Sequence, residues 1–168
     1  MISLAEAVKL KSILNTKFRE LFQERRRVAY VTVEKGEAPI ANGRSIAQVE
    51  AELDLVRKDI RTLDRLVYEA NLKHTVNFLE EELTLVEAIE YAKQIRYEAE
   101  EVKDLSYSEK EEIQMGYGDL SIVRIAMFDP ESYRVKADEY DRLAHKLSNL
   151  INAKNYQVQI DFDDSKYL

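Results

Sequence analysis

The chain has 168 residues, with 25 Lys and Arg against 32 Asp and Glu, for a formal net charge of −7. That length, with 45% hydrophobic residues, suits one domain over residues 1–168 with its own core. The absence of Cys excludes a disulfide framework, a thiol nucleophile and a zinc–thiolate site, and two His leave little for metal or acid–base chemistry.

Gly36, Pro39 and Gly43 fall in one window and Gly116, Gly118 and Pro130 in another. Gly and Pro are the strongest local breakers, so they divide the chain into segments 1–35, 44–115 and 130–168. Glu6, Lys9, Lys11 and Lys17 interrupt the first twenty residues, which argues against a secretory leader. No run approaches the ~18 apolar residues of a membrane-spanning helix. The expected location is the cytoplasm, with no membrane partner, and the acidic balance disfavours nucleic acid as a partner.

The first helix opens on Ser3-Leu4-Ala5-Glu6, a capping box in which the Ser hydroxyl accepts the N3 amide and Glu6 returns to the cap amide. Its apolar stripe is Leu4, Ala7, Leu14, Phe18 and Leu21, with Lys11 interrupting. Residues 28–33, Val-Ala-Tyr-Val-Thr-Val, are β-branched and aromatic and predict a strand or extended arm, with a continuation of the first helix as the alternative. Ser45-Ile46-Ala47-Gln48 caps a second helix, from about Ser45 to Lys73 and about 40 Å long. Ile46, Val49, Leu53, Val56, Ile60, Leu63, Val67 and Ala70 form its a/d seam. Helical periodicity fades over Asn71–Leu83, which places a break there.

Thr84-Leu85-Val86-Glu87 caps a third helix with the stripe Leu85, Ala88, Ala92, Ile95, Ala99 and Val102. Residues 120–128 alternate and predict an extended segment. Asp129-Pro130 starts a fourth helix, with an Asp cap and Pro at N1. Its stripe is Tyr133, Ala137, Tyr140, Ala144, Leu147 and Ile151. Residues 157–162 alternate Val158, Ile160 and Phe162 with polar residues. The expected class is mainly α: long antiparallel helical hairpins in a coiled-coil bundle of about four helices, with a small β element near 28–33, 120–128 and 157–162.

Chemistry is sparse. Asp141 and His145 stand at i and i+4, but the second carboxylate–His pair of a di-metal bundle is missing. Gly116-Tyr117-Gly118 lacks the later Gly and Lys of a phosphate loop and reads as a tight turn. No catalytic residue, metal site or cofactor follows from the sequence, and the chain is expected not to be an enzyme. Arg25, Arg26 and Arg27 form the one basic cluster. At a helix C-terminus they complement the dipole. With Tyr30 as a stacking surface they could also hold an anion, such as a phosphorylated small molecule or RNA phosphates.

Several segments resemble a known family. Met1-Ile2-Ser3-Leu4-Ala5-Glu6-Ala7 is similar to the M-x-L-A-E-A-L opening of the septicolysin-like family of small bacterial coiled-coil proteins of unknown function. Asn71, Thr84-Leu85-Val86-Glu87-Ala88-Ile89, Tyr107-Ser108, Lys136-Ala137-Asp138, Leu143-Ala144 and Asn152-Ala153-Lys154-Asn155-Tyr156 continue the resemblance in order. The N-R-T-N segment of the family stands here as Asn71-Leu72-Lys73-His74. The resemblance implies an oligomeric helical hairpin or bundle with no established reaction, and the family label implies membrane lysis.

Residues and resemblance together lead to a non-enzymatic helical protein acting through oligomerisation and partner or ligand binding. A 40 Å seam overhangs a domain of this size. A homodimer joined at Val49, Leu53, Val56, Ile60, Leu63 and Val67 is therefore the expected assembly. A binder of a phosphorylated ligand is the alternative, and a membrane-active protein the second alternative.

Overall fold

Local capping sets the helix boundaries in the computed structural model, which describes residues 1–41, 43–114 and 122–167. All three capping boxes form. Ser3 Oγ accepts the Glu6 amide at 3.2 Å, and the Ser3 amide donates to Glu6 Oε2 at 2.7 Å. Ser45 pairs with Gln48, and Thr84 with Glu87, in the same reciprocal way. These open α1 (Leu4–Val28), α2 (Ile46–Lys73) and α3 (Leu85–Ser106). Asp129 Oδ2 accepts the Ser132 amide at 3.2 Å and starts α4 (Pro130–Gln157). The protein is mainly helical, with small antiparallel strand pairs.

The chain divides into two units, Met1–His74 with Lys154–Leu168, and Thr75–Ala153. In the first, α1 lies antiparallel on α2. Lys11 Nζ meets Asp64 Oδ1 at 2.6 Å, Lys17 Nζ meets Glu52 Oε1 at 2.8 Å, and Arg25 Nη1 lies 3.9 Å from Glu50 Oε1. Leu21, Val49, Leu53 and Val56 form a buried cluster, walled by Phe18, Phe22, Val28, Ile60 and Tyr167. Strand β1 (Ile2–Ser3) pairs antiparallel with β6 (Gln159–Ile160), and the Leu4 amide donates to Val158 O at 2.8 Å. Val158, Ile160 and Phe162 are buried.

In the second unit, β2 (Thr75–Phe78) and β3 (Glu81–Thr84) form a hairpin beside α3. Val76 and Phe78 are buried, and the Phe78 ring meets Tyr91 edge-on at 5.8 Å. The hairpin turns through Leu79 and Glu80, at φ 48° and 68°. Arg96 Nη2 of α3 donates to Ser148 Oγ of α4 at 2.6 Å. Strand β4 (Glu111–Gln114) pairs antiparallel with β5 (Ile122–Ile125).

Each of the three expected β segments differs from the structure. Residues 28–33 form no strand: Val28 ends α1, and 30–33 are irregular and exposed, because among the described residues no segment pairs with them to take their hydrogen bonds. The extended segment expected at 120–128 contributes 122–125, while Leu120 and Ser121 lie outside the described residues. Of 157–162, Gln157 belongs to α4 and two residues pair. The Gly116-Tyr117-Gly118 turn lies outside the described residues.

Candidate functional site

An α-helix rotates about 100° per residue, so three consecutive side chains cannot share one face. Arg25, Arg26 and Arg27 accordingly point three ways. Arg25 approaches Glu50 and covers the Phe22 ring at 4.6 Å. Arg26 lines a shallow concavity of about 310 Å³ with Phe18, Arg19 and Phe22. Arg27 lines an open concavity of about 820 Å³ at the end of the α1–α2 pair, shared with Tyr30, Pro39, Arg44 and Ser45. The expected four-residue anion site is therefore divided, and only Arg27 and Tyr30 remain together. Tyr30 is 86% exposed.

The loop entering α2 adds a second guanidinium to that concavity. Gly43 sits at φ +95°, where a side chain would strain the backbone although there is space for one. The turn it makes delivers Arg44 between Glu24 and Glu52, with which its guanidinium pairs. These two carboxylates push Arg44 above its ordinary pKa. Arg44 holds Glu24 below the usual carboxylate range, and Lys17 with Arg44 does the same to Glu52. Lys17, Glu52, Arg44 and Glu24 thus form a balanced chain of alternating charge. Among the described residues that line the concavity, the cation outside this chain of charges is Arg27. The sequence offers no local signal for Arg44, whose partners lie 8 and 20 residues away.

The six seam positions assigned to a dimer interface lie elsewhere than on the surface. Val49, Leu53, Val56, Leu63 and Val67 are buried within one chain, and Ile60 is half-buried against the Leu21 cluster. The physical reason is the reach of α1. It has 25 residues against 28 in α2 and lies beside it from the Arg25–Glu50 pair to the Lys11–Asp64 pair. Lys11, which interrupts the apolar stripe, is accommodated by Asp64, whose hydrogen bond raises the Lys11 pKa.

His145 and Asp141 are exposed on α4. Among the described residues no group of three His, Asp or Glu side chains is placed to hold a metal ion. His74 caps the end of α2 and is half-buried; burial, then Lys154 and Lys73, hold its pKa below the usual value. No helix among the described residues is long and apolar enough to cross a membrane.

No family model matches the chain, and no curated protein is similar to it. A solved structure is similar: the crystal structure of a functionally unknown conserved protein from Corynebacterium diphtheriae, with 23% identity and a TM-score of 0.62, covering 95% of this chain and 99% of that one. The likeness is one of fold.

Proposed function

We propose that this is a non-enzymatic, cytoplasmic helical protein that works by association, first of all with a second copy of itself. The architecture we infer is a pair of antiparallel helical hairpins of coiled-coil type, α1–α2 and α3–α4, as in the septicolysin-like proteins that the motif order resembles. One observation carries the reading: apolar side chains stay uncovered on the β4–β5 hairpin, where Ile113 is 79% and Ile125 54% exposed. Apolar patches rimmed by charge mark interaction surfaces. Light scattering coupled to gel filtration tests it. Twice the chain mass at micromolar concentration is expected, and the chain mass alone overturns it. A reproducible turnover abolished by one substitution overturns the non-enzymatic part.

The concavity at Arg27 supports a second reading, a phosphorylated small molecule gripped by its guanidinium and stacked on Tyr30. Such a ligand raises the melting temperature of the native chain and leaves an Arg27→Ala variant unmoved. A flat response across nucleotides and sugar phosphates removes it.

A further inference from the structure

The β4–β5 hairpin is amphipathic, and none of the described residues of its own unit covers it. Residues directly opposite in an antiparallel pair point to the same side of the sheet. The register pairs Glu111 with Ile125, Glu112 with Arg124, Ile113 with Val123 and Gln114 with Ile122. One side therefore carries Ile113, Val123 and Ile125, with Glu111 at its end. The other carries Gln114, Ile122 and the Glu112–Arg124 ion pair at 3.8 Å. All eight residues are exposed. The apolar side continues into Met127, which is 93% exposed. A two-stranded hairpin with no packed face is marginal in water, so this one gains order from whatever seals that side.

We propose that the apolar side of β4–β5, carried by Ile113, Val123 and Ile125, is a two-fold interface that packs on the same side of a second copy of this chain. The inference rests on the association reading and assigns it a surface. Area supports a second copy. Sealed completely, these side chains and Met127 remove at most on the order of 500 Å² per copy, so two copies together come up to the roughly 1,000 Å² at which a specific interface begins. Charge supports it as well. Among the described strand residues Glu111 is the single charge on this side, and a two-fold axis running across the strands at the Ile113–Val123 pair sends the two Glu111 carboxylates to opposite ends, apart from each other. A membrane is the poorer occupant, because Glu109, Glu111 and Glu112 on a chain of net charge −7 are repelled by anionic lipid.

The test compares the full chain with Ile113→Lys/Val123→Lys, and with Gln114→Lys on the opposite side, by light scattering over a concentration series. Far-UV circular dichroism follows the helices. A dimer in the wild type and in Gln114→Lys, weakened about a hundredfold or more in the double variant with its helices intact, is the expected result. A dimer that survives the double change overturns this surface while association stands. A monomeric wild type overturns both. Should the double variant fail to fold, Val123→Cys in this cysteine-free chain decides: oxidation yields a covalent dimer for Val123→Cys and none for Ile122→Cys. Absence of the Val123→Cys dimer overturns the proposal. So does binding of a monomeric wild type to phosphatidylserine vesicles.

Discussion

The Tyr167 hydroxyl donates to Asp59 Oδ2 at 2.6 Å, joining residues 108 positions apart. The ring rests against the Leu21, Val49, Leu53 and Val56 cluster, with Lys17 Nζ 5.5 Å from its centroid. Burial and the Asp59 carboxylate push the phenol well above its ordinary pKa. The carboxy-terminal segment is thereby tied to α2 by both an apolar and a charge-assisted contact. Tyr167→Phe keeps the ring and removes the bond, and should lower stability by about 1.5 kcal/mol in urea unfolding. Tyr167→Ala should lower it further, because the ring also leaves the cluster.

The turn of the β2–β3 hairpin holds two left-handed residues that are not glycine, Leu79 at φ 48° and Glu80 at φ 68°. Each such residue costs about 1 kcal/mol, and Asn-Gly suits this two-residue turn far better. Leu79 is 50% exposed, so replacing it forfeits little burial. Leu79→Asn with Glu80→Gly should raise stability by about 1 kcal/mol, seen as a higher melting temperature with an unchanged spectrum. A lower melting temperature would show that these side chains hold the turn.

On α2, Leu63 is fully buried, whereas Glu52 is a partly exposed ion-pair partner of Lys17 and Arg44. Leu63→Ala should cost about 2–5 kcal/mol, and Leu63→Asp should prevent folding. Glu52→Ala breaks two pairs open to solvent and should cost no more than about 1 kcal/mol, less at high salt. Chemical denaturation at two salt concentrations separates the two behaviours. Because α1 covers Leu63 within the chain, the loss should not depend on protein concentration.

His74 has a folded-state pKa below its unfolded value, through burial and the charges of Lys154 and Lys73. The unfolded chain therefore takes up a proton first on acidification. This group leaves stability intact above about pH 6.5 and subtracts from it as pH falls through that value. His74→Gln keeps the backbone bond from residue 74 to Ala70 O, which is 3.0 Å in the native chain. It should flatten the stability profile between about pH 7 and about pH 5, followed by urea midpoints. An unchanged slope would show that other groups carry the acid sensitivity.

Helix starts were legible because their causes are local. Ser3 with Glu6, Ser45 with Gln48, Thr84 with Glu87, and Asp129 before Pro130 each settle a boundary with atoms three residues apart. Apart from Ile46, which is 42% exposed at the start of α2, the stripes of α2 and α3 were legible too, since 3.6-residue periodicity is written along one segment. The β2–β3 hairpin was not. Its turn uses Leu-Glu in place of Asn-Gly, and Glu80-Glu81-Glu82 reads as a solvated charge run. Strand β1 was equally silent, because two residues become a strand only by meeting Gln159–Ile160 from the far end of the chain.

The sequence alone determined the four helices, their caps and their apolar faces, because each depends on residues within one or two turns. Tertiary structure decided what those faces meet. It gave the α2 seam to α1, left 30–33 without a strand partner among the described residues, and parted Arg25, Arg26 and Arg27 while bringing Arg44 to Glu24 and Glu52. Periodicity records that a side chain must be buried or a charge placed. The neighbour that buries or neutralises it belongs to distant segments, whose approach no local pattern encodes.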